Sequence, residues 1–180
     1  SLRFRERMRH LPFKLKTCIF AAAAALAGSC LLGGPADIRI HEIHYHPAGN
    51  DSSLEFVELF NAGSDPVDLT GWFFADGIVF EFSRGSVLDG SAYLVVAADS
   101  ALCRQVYGEI PLAGDFQGRL SDGGERIRLM DPEGRIMDEL RWGDSGPWPE
   151  PADGHGASLE KLWPRAQADW PDSWAASYFL

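Results

Sequence analysis

Three histidines and a glutamate fall within six residues, as His41, Glu42, His44 and His46. Imidazole and carboxylate both ligate zinc, so this is the one cluster in the chain whose residue types suit a metal. On a regular strand Glu42, His44 and His46 point to one face and His41 to the other. Side chains two apart on a strand sit roughly 7 Å apart, and a tetrahedral site then recruits a ligand from a distant segment. The remaining histidine, His155, lies in a Gly-rich stretch. The competing reading places His44 and His46 on a solvated or edge face, with Glu42 bonded to backbone or a turn. The expectation is therefore no metal and no cofactor, with a small metal-binding protein kept as an alternative.

Glu55 and Glu58 have the residue types of an acid/base pair. Three apart on a strand, they face opposite ways and do not hold two carboxylates around one bond. Either register leaves one of them among apolar neighbours, where it needs hydrogen bonds from a turn or an Arg. No Gly-x-Ser-x-Gly elbow is present to raise a nucleophilic serine. Gly123-Gly124 reads as a short turn with no helix behind it to receive a phosphate. Acidic loops at Asn50-Asp51 and Asp115 lack the regular oxygen spacing of a calcium loop. Cys103 has no histidine near it and reads as a buried, inert thiol. The catalytic set is expected to be empty.

Tryptophan is the other conspicuous chemistry. Trp142, Trp148, Trp163, Trp170 and Trp174 crowd the last third, where exposed rings would stack a carbohydrate or a peptide. Alternatively Trp142 and Trp163 close the core while Trp170 and Trp174 pin a proline-stiffened tail over it. Core use is expected for Trp142 and Trp148, and the roles of Trp170 and Trp174 are left open.

The elements that must position these groups are strands and turns. Ile38 to Tyr45 is β-branched, partly alternating, and stops at Pro47. Leu54 to Phe60 forms a second strand. Trp72 to Ala75 and Ile78 to Phe82 flank Asp76-Gly77, a pair suited to a tight two-residue turn. Tyr93 to Ala98 is a continuous apolar run, as in a strand covered on both faces. Arg126 to Met130 and Ile136 to Trp142 flank Asp131-Pro132-Glu133-Gly134, another hairpin. No long helical period follows residue 37. Short strands separated by Gly, Pro and Asp predict a β-sandwich, with Trp72, Phe74, Phe80, Phe82 and Tyr93 as its filling.

Charge divides the chain. Residues 1–30 carry six Lys/Arg against one Glu, a net of +5, and residues 31–180 carry ten against twenty-five Asp/Glu, a net of −15. An acidic body is a poor partner for phosphate backbones, so no nucleic-acid partner is expected. The basic end precedes an uncharged stretch, Thr17 to Ala36, centred on Cys18-Ile19-Phe20 and five alanines. That order describes a signal peptide over residues 1–36. Leu26-Ala27-Gly28-Ser29-Cys30 resembles a lipobox, which makes Cys30 the expected lipid-attachment residue, with simple secretion as the rival. A membrane span needs about 20 strongly apolar residues, and here the second half is Ala, Gly, Ser and Pro. Met8 is a possible natural start. Cys103 is left alone inside the folded part, which gives no disulfide framework.

Ile40-His41-Glu42-Ile43-His44-Tyr45-His46-Pro47 resembles the opening strand of the lamin tail domain family. Glu55 to Asn61 resembles its second strand and Val67-Asp68-Leu69-Thr70-Gly71-Trp72 the turn after it. Tyr93-Leu94-Val95-Val96-Ala97 is similar to the central strand. Trp142 to Pro149, with Gly156-Ala157-Ser158-Leu159-Glu160, resembles the end of the bacterial versions. His41 and His44 depart from the pattern, which more often shows Asn and an apolar residue there. The resemblance implies an all-β, immunoglobulin-like β-sandwich over residues 37–175, with a short tail at 176–180, and a non-catalytic interaction or scaffolding role. Such bacterial domains resemble parts of exported proteins, some joined to spore-coat-kinase-like or nuclease domains. The expected partner is a protein or cell-envelope component, with membrane contact through the lipid anchor. An alternative is an accessory domain whose catalytic part lies beyond Leu180.

Overall fold

The computed structural model describes residues 37–177. The signal segment and the Cys30 lipid site therefore lie outside the described residues. The strands are β1 (Ile38–His44), β2 (Phe56–Asn61), β3 (Val67–Asp68), β4 (Phe73–Ala75), β5 (Ile78–Glu81), β6 (Val87–Leu88) and β7 (Tyr93–Ala97). After one helix, α1 (Ser100–Tyr107), come β8 (Leu112–Asp115), β9 (Gln117–Gly118), β10 (Arg126–Met130), β11 (Ile136–Arg141), β12 (Leu159–Lys161) and β13 (Trp174–Ala176). Six strands form one sheet in the order β13-β12-β1-β2-β7-β8, and five form another in the order β11-β10-β4-β5-β9. β3 and β6 pair separately at a corner. Neighbours are antiparallel except β7 and β8.

The chain changes sheets between β8 and β9, with buried Phe116 between them. The core fills the space between the sheets. Ile38, Ile40, Ile43, Val57, Leu59, Val96 and Leu159 come from one side and Phe74, Ile78, Ile127, Leu129 and Leu140 from the other, with Trp72, Phe82 and Trp142 among them. This alternation of inward apolar and outward polar residues is what a two-layer β fold requires.

Local chemistry explains the hairpins. Asp76 and Gly77 take φ of 67° and 66°, the left-handed pair a two-residue turn demands. In the β10–β11 turn Asp131 accepts from Glu133 N, Arg135 N and Arg135 Nε, and Gly134 has φ 76°. The helix α1 is a departure from the strand-only expectation. Asp99 caps it by accepting Leu102 N, and Gly108 at φ 79° ends it. It packs Cys103 against Phe56, Val95, Ala97 and Ile110 on the outer face of the six-stranded sheet, so this part of β7 is covered on both sides.

Two core assignments change. Phe80 is only partly buried at the core margin. Tyr93 leaves the core altogether: it lies on the outer face, tilted against Phe60 at 4.6 Å and edge-on to His41 at 5.3 Å between ring centroids. The six-stranded sheet continues to Ala176, which pairs with Leu159.

Candidate functional site

The histidine cluster on β1 is rearranged by a β-bulge. The register with β2 runs Ile40↔Leu59 and then Glu42↔Glu58, so His41 and Glu42 together oppose one residue. Both therefore face outward, while Ile40 and Ile43 face the core. Strict alternation had sent His41 to the opposite face from Glu42 and His44, and the bulge overturns this.

Across the outer face the register aligns Glu160, Glu42 and Glu58 on three adjacent strands. His41 Nδ1 sits 3.4 Å from Glu58 Oε1. Ser158 Oγ donates to Glu42 Oε1. Neither glutamate is placed as an isolated acid: each carboxylate works within the sheet. His44 lies edge-on to Phe56, and its Nδ1 is 3.3 Å from the Tyr107 hydroxyl of α1. Burial pulls the His44 pKa down to about 4, so its ring is neutral at neutral pH.

His46 is beyond the strand, in the loop at one end of the sandwich. Its Nδ1 is 2.6 Å from Asp153 Oδ1 and its Nε2 is 2.7 Å from Asn50 Oδ1. As an imidazolium it donates to both, and the Asn50 and Asp153 oxygens hold its pKa above the ordinary histidine value. His46 thus ties the 48–50 turn to the 150–154 turn. Among the described residues no three His, Cys, Asp or Glu side chains gather around a common metal position. The loop acids have local work: Asp51 accepts Ser53 N, and Asp115 accepts Ser100 N and Oγ. Cys103 is buried, and burial pushes its thiol up to about 11.

Glu55 is a buried carboxyl with one oxygen left unpaired among the described residues. It is 1% exposed, its Oε2 accepts Leu120 N at 2.6 Å, and the unpaired oxygen is Oε1. Burial raises its pKa from 4.5 to about 7, against the Leu120 hydrogen bond and the Arg119 charge, while Asp122 and Glu125 add to the rise. The unfolded chain loses this proton first as pH rises, so Glu55 favours folding below its unfolded pKa and that contribution is lost as pH climbs through about 7. Glu55→Gln is expected to flatten this part of the stability profile and to gain about 2 kcal/mol at alkaline pH. Urea unfolding of both proteins across pH checks it, and parallel profiles would refute the assignment.

The tryptophans sort by depth. Trp142 is buried and Trp148 packs partly buried against the core, as expected. Trp174 is buried, with its Nε1 donating to Ala168 O at 2.8 Å. Trp163, which the alternative reading placed in the core, is 53% exposed, and Trp170 is 61% exposed. Both stand on the 162–173 connection between β12 and β13.

One pairing escaped the sequence reading. Asp138 is opposite Leu129 and two residues before Leu140, and Lys161 is two residues after Leu159, so both charges point inward from opposite sheets. The signal was present in the period-2 pattern, as a charge at an inward position in each strand.

These features define the class: a two-sheet β-sandwich of the immunoglobulin-like kind whose histidines and acids hold strands and turns in place. Residues 33–144 match the sequence model of the Lamin Tail Domain family, and the chain belongs to that family of interaction domains. No curated protein matches the chain. β12 and β13 lie past the matched residues and extend the six-stranded sheet.

Proposed function

We propose that this protein is a non-catalytic binding or scaffolding component of the cell envelope, exported by its 1–36 segment and tethered through lipid on Cys30. The observation that carries the binding reading is membership of an interaction-domain family. The use of His46, Glu42 and Glu58 within the fold supports it. The basic, then apolar, then small-residue order of the first 36 residues supports export. Trp163 and Trp170 supply flat apolar area on one connection, the side chains most often found as anchors in binding surfaces.

Two measurements test this. The intact mass of the native protein from membrane and soluble fractions is expected to show a species starting at Cys30 and carrying acyl chains. A lipid-free species would remove the tether, and a much larger one would move the activity past Leu180. Replacing Trp163 and Trp170 together by Ala is expected to leave the unfolding midpoint within about 1 kcal/mol of wild type, because exposed side chains add little to stability. It is expected to reduce retention of the protein on its own cell envelope at least tenfold. Unchanged retention would refute the role of this pair.

A further inference from the structure

Lys161 and Asp138 face each other across the interior of the sandwich. The Lys161 side chain is 0% exposed and that of Asp138 15%, and Nζ lies 3.8 Å from Asp138 Oδ2. That spacing is an ion-pair distance too long for a hydrogen bond, and Nζ has no hydrogen-bond acceptor among the described residues. The Trp174 ring covers it, with Nζ 5.2 Å from the centroid. Past the end of the β1–β12 ladder, Ile40 N donates to Asp138 Oδ2 at 2.8 Å. A buried ammonium that faces a carboxylate but makes no hydrogen bond of its own is a costly arrangement.

We propose that Lys161 Nζ and the Asp138 side-chain carboxyl join as an intramolecular amide, a covalent staple between the two sheets. The reaction starts with transfer of a proton from the ammonium to the carboxylate, which gives a neutral amine and a neutral acid. Nζ attacks Cγ and the Nζ–Cγ bond forms. The bond from Cγ to the hydroxyl oxygen breaks, and the hydroxyl leaves as water with a proton from Nζ. Nothing is oxidised or reduced, and no co-reactant is needed.

Three surroundings favour this course. Burial moves both groups toward neutrality: it pulls the lysine down and pushes the aspartic acid up. For the lysine, Arg39 adds to this movement while the Asp138 attraction and Asp169 oppose it; for the aspartic acid, burial outweighs the opposing Lys161 and Arg39 charges and the Ile40 and Glu139 N–H groups. The Ile40 N–H is positioned to stabilise negative charge on the carboxyl oxygen during attack. The product is a neutral amide, which removes two charges from the interior. The staple joins Asp138, within the family-matched residues, to Lys161 on the strand pair beyond them. Cys103 is the one cysteine among the described residues, so this covalent tie would have no disulfide counterpart there.

Peptide mapping of the purified full chain by tandem mass spectrometry tests the proposal. The peptide holding Asp138 is expected joined to the peptide holding Lys161, lighter than their sum by one water. Recovery of both peptides separate and at full mass, after prolonged incubation of the folded protein, would overturn it. Lys161→Arg keeps the charge but cannot form this amide, and is expected to show no water loss. Water loss on the wild-type Asp138 peptide alone, with the Lys161 peptide recovered free at full mass, would assign it to cyclisation of Asp138 with its own backbone and would also overturn the staple. The wild-type peptides decide the matter by themselves even where the variant fails to fold.

Discussion

Gly90→Ala is expected to cost about 3 kcal/mol or more. A Cβ at Gly90 would lie 2.1 Å from Ser64 O, 2.2 Å from Ser64 C and 2.9 Å from Asp65 N. All three are backbone atoms, so no side chain can rotate aside. Neither segment is free to retreat. Ser91 N, next in sequence, donates to both Asn61 O and Gly63 O at 3.0 Å, and Asn61 N donates to Ala92 O at 3.0 Å. Relieving the overlap breaks hydrogen bonds that fasten the β2–β3 loop to the start of β7. Gly85→Ala is the contrast: nothing lies within 4 Å of its Cβ, but φ is +84°. It is expected to cost about 1 kcal/mol from backbone strain alone. Urea midpoints with unchanged slopes would measure both. Equal losses would show that the close approach at Gly90 is relieved more easily than its bonded neighbours imply.

Asn61→Asp is the second large effect, in the same corner. Asn61 is fully buried, and all its amide atoms are used. Nδ2 donates to Asp65 O at 2.9 Å and Leu88 O at 3.0 Å, and Oδ1 accepts Gly63 N at 2.9 Å. Exchanging the NH2 group for an oxygen turns two hydrogen bonds into two oxygen–oxygen repulsions and buries a charge. The expected loss is about 4 kcal/mol at neutral pH. The folded state would raise the new carboxyl's pKa, so the loss is smallest in acid and grows as pH rises through the unfolded value. Asn61→Ala removes the donors without adding charge, and about 2–3 kcal/mol is expected for it, independent of pH. If the Asp and Ala variants matched at neutral pH, the repulsion argument would fail. The two corner sites share partners, so a combined variant is not expected to be additive.

What could be read from the residues was local or periodic. The Asp76-Gly77 and Asp131 to Gly134 turns were legible because backbone conformation there is set within two to four residues. The inward apolar positions followed from alternation, and the family from blocks kept in order. The helix α1 was missed because eight residues bracketed by Asp99 and Gly108 leave too short a period to recognise beside strong strand signals.

The amino-acid sequence by itself determined the two-sheet class, the hairpins, the depth of Trp142 and Cys103 as the single cysteine among the described residues. These depend on turn chemistry, residue volume and counting. Only the tertiary structure decided the rest. The bulge that turns His41 outward arises from register between β1 and β2, and no residue in β1 announces it. Trp174 goes inside and Trp163 outside because β13 pairs with β12 and carries Trp174 over Lys161. His46 meets Asp153, and Lys161 meets Asp138, across separations of 107 and 23 positions along the chain. Such encounters are set by how sheets stack and loops close, because burial makes two distant charges depend on each other only after the surrounding chain has excluded water.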